Sequence, residues 1–259
     1  MSDHISSRPF NKPFLVIAHR GASYDSPENT MPAFKLAHQM GAEMIELDVQ
    51  LSKDGVPVVF HDRTLNKKSS GRGIVSTHTV RELKKLDVGN WFSSRFKGEK
   101  IPLLEEVLEW AKNRILLNIE IKPEAVEEKP GRGIEEKIIE LAKAYNMENS
   151  VLISSFHYLA LKRLKVIAPD VTTGLLYYKK ISDGLSPSEL LNLYRADFFH
   201  CSRLEMKKSW AEELRQSNQP FLIYTVNKPR QMIKFIRMGA FGIFSDKPDL
   251  LKEIKEKTE

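Results

Sequence analysis

A chain of 259 residues, 41% hydrophobic and 29% charged, has the apolar content to fold around a core. That excludes a mainly disordered, collagen-like or coiled-coil chain, and the lone cysteine excludes an intrachain disulfide. The formal charge of +6 is a mild, scattered basic excess; it suits a small anionic ligand and lacks the basic and aromatic clustering of a nucleic-acid surface.

The opening, MSDHISSRPFNKPF, has no basic segment followed by a long apolar run, so no secretory leader is expected. No integral membrane segment is expected either, because no apolar run approaches the ~18 residues one needs. With a single thiol, these features point to a cytoplasmic protein. Phe14–Ala18 reads as a strand, and Asn29–Met40 as a helix capped by Asn29 or Thr30 with Pro32 in its first turn. Met44–Val49 and Pro57–Phe60 read as strands around Asp54-Gly55, a hairpin turn signal that, taken as the centre, sets residue 48 opposite residue 61. Residues 66–100 are polar and irregular, with a helix-like piece near Val80–Leu86. Leu104–Ala111 is helical, Ile115–Ile121 a strand and Ile134–Tyr145 a helix. A regular alternation follows: strands at Val151–Ser154, Thr172–Leu176, Asp197–Phe199, Phe221–Tyr224 and Gly242–Phe244. The helices between and after them are Tyr158–Ile167, Pro187–Leu193, Lys207–Gln216, Arg230–Met238 and Asp249–Lys255.

Strands alternating with helices indicate a parallel sheet. The pattern has one strand too many for a TIM (β/α)8 barrel, and the hairpin removes it by making Pro57–Phe60 an antiparallel return arm. A length near ~250 residues is usual for that barrel. The expectation is therefore one α/β barrel domain over residues 1–259, with a small insertion at about 66–100 after the second-strand hairpin.

Active sites of such barrels lie at the C-terminal strand ends. Here those ends carry His19-Arg20-Gly21, Glu46 and Asp48, His61-Asp62, Glu120 and Lys122, Ser154-Ser155, His200, Tyr224-Thr225 with Asn227, and Ser245-Asp246. Residues i and i+2 of a strand share a face, so Glu46 pairs with Asp48, and Glu120 with Lys122. Converging carboxylates repel unless partnered. A divalent cation would resolve this, and oxygen ligands select Mg2+, Ca2+ or Mn2+ over zinc; ion pairs with nearby Arg and Lys are the other reading. His19 and His61 are a proton-transfer pair by type and place. Arg20 and Lys122 suit phosphate oxygens, or serve as counter-ions. No dinucleotide or P-loop glycine motif and no H-E-x-x-H occurs. Ser154 and Ser155 lack a nucleophile elbow. Cys201 reads as a small buried residue, and His4, His38 and His78 are expected to have no catalytic role.

The blocks AHRGASYDSPENT (18–30), IELDVQLSKDG (45–55), VVFHD (58–62) and IEIKP (119–123) closely resemble those of the glycerophosphodiester phosphodiesterases. LKKLDVGNWF (83–92), EKIPLLEEVL (99–108), SSF (154–156), YTVN (224–227) and GIFSDKPD (242–249) extend the resemblance over most of the chain. It implies a metal-dependent barrel that cleaves glycerophosphodiesters to glycerol 3-phosphate and an alcohol. By position it implies Glu46, Asp48 and Glu120 as metal ligands, His19 and His61 as general acid and base, and Arg20 and Lys122 as phosphate-binding residues. Glu28 and Asn29 belong to the first block, though helix capping also accounts for Asn29. Where the family often has Trp, this chain has Tyr224, which would wall the substrate pocket and make it more polar. A non-catalytic phosphate-binding barrel would be expected to lack one of the five metal or histidine positions, and all are present. The alternative within enzymes is a lysophospholipase D acting through the same site. It needs an apolar groove for the acyl tail, and Trp91, Phe92 and Phe96 of the insertion either line one or dock the insertion on the barrel. The mostly polar insertion and Tyr224 favour soluble, deacylated substrates.

Overall fold

A computed structural model describes residues 14–127 and 133–258; His4 and the rest of the opening stretch before Phe14 lie outside the described residues. The strands are β1 (Leu15–His19), β2 (Met44–Leu51), β3 (Pro57–Val59), β4 (Leu116–Ile121), β5 (Val151–Ser155), β6 (Thr172–Leu176), β7 (Phe198–Ser202), β8 (Phe221–Tyr224) and β9 (Gly242–Ser245). They hydrogen-bond in the order β1-β9-β8-β7-β6-β5-β4-β2-β3, and a further β1–β2 pairing closes the ring. Every pairing is parallel except β2 with β3. The fold is therefore the expected TIM barrel, with β3 as an outer arm.

The helices are α1 (Met31–Gln39), α2 (Val80–Leu83), α3 (Leu104–Ala111), α4 (Ile134–Ala144), α5 (Tyr158–Ile167), α6 (Pro187–Tyr194), α7 (Lys208–Gln216), α8 (Pro229–Arg237) and α9 (Pro248–Thr258). Their apolar faces close on the outward residues of the strands, such as Val16, Ala18, Ile45, Leu47 and Ile119, to form the main core. The alternate residues, Leu15, Ile17, Met44, Leu152, Phe198, Leu222 and Phe244, form a separate cluster inside the barrel. This double burial is why the strands read as continuous apolar runs. It also makes polar residues at the strand ends conspicuous. Thr30, whose hydroxyl accepts from the Ala33 amide, is the N-cap of α1, with Pro32 in the first turn as expected.

Two expectations change in detail. The β2–β3 register is one residue off: Val49 pairs with Val59, Gln50 with Val58 and Leu51 with Pro57, and the Phe60 amide donates to the Asp48 carbonyl. Residue 48 thus faces 60, not 61. The loop is three residues long, closed by Ser52 N–H to Val56 O, with Gly55 at φ +73° supplying the left-handed position such a loop needs. The helix-like piece in the insertion stops at Leu83 instead of Leu86. Beyond it, the Asp87 carboxylate collects the amides of Gly89, Asn90 and Gly98 and organises a loop. The insertion has its own aliphatic core, Leu65, Val75, Leu83, Val88 and Ile101 against Val58 and Phe60. Trp91 is 41% exposed, and Phe92 stacks edge-on between it and Phe96.

Candidate active site

The turn after β1 begins the site. Arg20 (φ 57°) and Gly21 (φ 83°) are both left-handed, which reverses the chain within two residues. Only glycine fits the second position, because a Cβ there would lie 2.7 Å from the Ala33 backbone. The reversal aims the Arg20 amide at Glu46 Oε2 (2.8 Å). The guanidinium turns back to Glu28 Oε1 (2.9 Å) and Asp48 Oδ2 (3.2 Å). Glu28 in turn takes Lys68 of the insertion at 2.7 Å, and Arg95 bonds the Asp25 carbonyl, so the insertion is tied to the rim of the site.

The parallel register sets Asp48 opposite Glu120, and Glu46 opposite His19 on one side and Asn118 on the other. Oxygens of Glu46, Asp48 and Glu120 come within 4.8 Å of one another, all three residues being buried or nearly so. Lys122 Nζ bridges Glu120 (2.9 Å) and Asp48 (3.3 Å). Asn29, itself left-handed, clasps Asp48 by donating from Nδ2 to Oδ2 (2.8 Å) and accepting the Asp48 amide. Burial followed by the repulsion of Asp48 and Glu120 pushes Glu46 well above the usual carboxylate range. Burial and Asp48 push Glu120 up to about 7. Burial works to raise Asp48 too, but Arg20, then Lys122 and His61, hold it well below its ordinary value. The ion pairs expected on the other reading are thus present, yet they satisfy Asp48 and Glu120 only. Among the described residues Glu46 has no side-chain cation within ion-pair distance; it has the Arg20 amide. A buried, oxygen-only set with one uncompensated member fits a hard divalent cation.

The two histidines flank this cluster. His19 Nδ1 lies 2.6 Å from Asp246 Oδ1, which also takes Ser23 Oγ at 3.1 Å. Asn227 donates to the other Asp246 oxygen and accepts the Asp246 amide. Burial would raise Asp246; the hydrogen bond and charge of His19, with Asn227 and Ser23, hold it below its ordinary value. His61 Nδ1 lies 2.8 Å from Asp62 Oδ1, and Gln50 steadies this loop by donating to the carbonyls of Phe60 and Asp62. In both cases the carboxylate occupies Nδ1 and leaves Nε2 for chemistry. Burial, with Arg20 and Lys122, lowers the His61 value against the pull of Asp48 and Asp62.

His19, Arg20, Glu46, His61, Glu120, Lys122 and Tyr224 line one cavity of about 240 Å3. Asp48 is fully buried behind them. The Tyr224 ring sits edge-on to Phe156 and Phe244. Its hydroxyl donates to the Tyr177 carbonyl at 3.3 Å, so the wall is aromatic and not more polar, as Tyr in place of Trp had suggested. His38 packs on Trp110, and His78 bonds Ile74 within the insertion; neither lines this cavity. Cys201 is buried, and burial pushes its thiol up. Sequence reasoning missed Asn29 as a clasp, and missed Asp246, Asn227 and Gln50 as positioning residues. Asp246 and Asn227, both at strand ends, carry the visible signal, without showing that they serve His19.

The family model described as the Glycerophosphoryl diester phosphodiesterase family matches residues 19–250. The chain is 40% identical over 244 residues to a glycerophosphodiester phosphodiesterase of Caldanaerobacter subterraneus subsp. tengcongensis, covering 94% of this chain and 98% of that one. It is 36% identical to a glycerophosphodiester phosphodiesterase of Bacillus altitudinis, covering 93% and 98%. Among solved structures it resembles an Oleispira antarctica phosphodiesterase in complex with the product sn-glycerol-3-phosphate. That match has a TM-score of 0.80 and 30% identity, and covers 93% and 96% of the two chains.

Proposed function

The chain belongs to the glycerophosphoryl diester phosphodiesterase family and is a glycerophosphodiester phosphodiesterase; from that premise we propose a metal-dependent hydrolysis carried by two carboxylate-anchored histidines. The observation that carries it is the buried Glu46, Asp48 and Glu120 cluster beside the free Nε2 atoms of His19 and His61. Glu46, Asp48 and Glu120 would hold Mg2+, Ca2+ or Mn2+, which when bound supplies positive charge against the developing charge on phosphorus oxygens. Arg20 and Lys122 line the cavity and add their charges to the same phosphate. One histidine accepts the proton of the attacking group, either water or the glycerol 2-hydroxyl with water then opening the cyclic phosphate, and the other gives a proton to the departing alkoxide as its bond to phosphorus breaks. Asp246 and Asp62 fix the tautomers and stabilise whichever imidazolium forms. The products are glycerol 3-phosphate and an alcohol.

The preferred substrates on this reading are soluble, deacylated diesters such as glycerophosphocholine. What supports this over lysolipids is the packing of the insertion. Phe92 and Phe96 are stacked on each other, and the Trp91 indole N–H is bound by the Val88 carbonyl. Among the described residues no helix is long and apolar enough to cross a membrane. The test strips the purified enzyme of metal and measures glycerol 3-phosphate release from glycerophosphocholine and lysophosphatidylcholine, before and after adding each cation. Activity restored by Mg2+, Ca2+ or Mn2+, with the greater kcat/KM on glycerophosphocholine, is the expected result. Full turnover in chelator, or a clear preference for the lysolipid, overturns the corresponding part.

A further inference from the structure

The floor of the cavity carries polar atoms that the chemistry above does not use. His200 on β7 is fully buried, and neither ring nitrogen has a hydrogen-bond partner among the described residues. Its ring lies 5.4 Å from that of Phe244. The neighbouring strand makes room for it: a Cβ on Gly174 would fall 2.4 Å from His200 Nε2. Asn118 on β4, 1% exposed, donates from Nδ2 to Ser154 Oγ at 3.0 Å, while its Oδ1 is unpartnered. Both side chains line the same cavity as His19 and Glu120.

Buried polar atoms without partners are costly and uncommon, which marks these three as candidates for hydrogen bonds from a ligand. We propose that His200 and Asn118 are the subsite that hydrogen-bonds the glycerol hydroxyls of the substrate, making the barrel floor the determinant of selectivity for the glycerol end. The assignment rests on the function proposed above. A neutral imidazole offers one donor and one acceptor, and Asn118 Oδ1 one further acceptor, which matches hydroxyls that each donate and accept. Burial alone lowers His200 to about 3, so it stays uncharged. An uncharged floor does not suit a phosphate or an ammonium group, and Leu176 and Phe244 line the cavity beside it for the carbon chain. The topology agrees. A diester of this class has a constant glycerol end and a variable alcohol. The closed interior takes the constant end, while the open mouth tolerates the variable one.

The test compares binding of sn-glycerol 3-phosphate and n-propyl phosphate, its analogue without hydroxyls, by calorimetry on metal-loaded enzyme. His200→Phe and Asn118→Leu are each expected to weaken glycerol 3-phosphate about tenfold, the worth of roughly one hydrogen bond. They should leave n-propyl phosphate within about twofold by the same measure. His200→Gln, which keeps a donor and an acceptor, should recover part of the loss, and KM for glycerophosphocholine should rise more than kcat falls. Parallel weakening of both ligands, or no change in either, overturns the subsite. If His200→Phe does not fold, Asn118→Leu and His200→Gln decide it on the same ligand pair. A wild-type enzyme inactive on every glycerophosphodiester would overturn the proposed function and the subsite together, whereas an active wild type with undiscriminating variants overturns the subsite alone.

Discussion

His19 and His61 are alike in type and in having Nδ1 against a carboxylate, yet their anchors differ in reach. Asp62 is the next residue to His61, whereas Asp246 is 227 positions from His19. The first pairing is visible in the dipeptide; the second has no local signal, and neither do the Asn227 and Gln50 contacts that support the pair. Asn29 was ambiguous for a different reason: Asn and Thr are both good caps, and only the fold shows that Thr30 caps α1 while Asn29 turns to Asp48. Loss of a positioned acid or base costs ~10²–10⁴ in rate, or roughly 3–5 kcal/mol of barrier. His19→Ala and His61→Ala should each lose kcat by that factor while keeping wild-type circular dichroism. A variant that retains more than about half of kcat on this scale removes that histidine from the mechanism. Asp246→Ala acts through His19, so a smaller loss of ~10–100-fold in kcat is expected with KM little changed. If KM rises instead, Asp246 is contacting substrate.

At the level of elements, the alternation of apolar runs and helical patterns was enough to count the barrel strands and set β3 aside. What it left open was register. Asp54-Gly55 announces a turn without specifying whether two or three residues form it, and a one-residue slip changes which side chain faces which. The β1–α1 turn carries its requirement more openly, in Gly21. Gly21→Ala meets both a positive φ of +83° and an approach of 2.7 Å to the Ala33 backbone. A loss of ~1–3 kcal/mol is expected, read as a lower urea midpoint. Arg20 should move with the turn, so activity should fall as well. An unchanged midpoint would mean that the turn relaxes without strain.

For the molecule as a whole, the carboxylate cluster links stability to pH and to metal. A carboxyl whose folded value is raised destabilises the protein as it ionises, so stability is retained below its ordinary value and lost as pH rises through the folded value. For Glu120 that window runs from 4.5 to about 7, and Glu46 is shifted in the same direction. Asp48 is shifted oppositely, so its contribution is lost only as pH falls below its ordinary 3.8, outside that window. His61 and His200, whose values are lowered, gain stability as pH rises toward 6.5 and oppose this trend, so the contrast is with Glu120→Gln. The melting temperature of chelated wild type should fall relative to that variant as pH rises across the Glu120 window, and Mg2+, Ca2+ or Mn2+ should restore the upper end of the wild-type profile. A difference between the two enzymes that does not change with pH would show that Glu120 is not shifted in this way. The arm bearing His61 has a different consequence. Among the described strands the β3 arm pairs with β2 alone, with one bridge from Val58 to Leu103, and the insertion beyond it packs around a cluster separate from the barrel's, joined to the rim by the Lys68–Glu28 and Arg95–Asp25 contacts. Segments that share few contacts with the rest of a protein open as cooperative units of their own, below the global unfolding free energy. Catalysis should then be lost by partial opening of that unit while the ring of strands stays intact. In a urea titration, the activity midpoint should precede the far-ultraviolet transition, and amides of Leu65, Val75 and Val88 should exchange with deuterium faster than those of Ile45 and Ile119. Coincident midpoints and equal protection would make the arm and barrel one cooperative body.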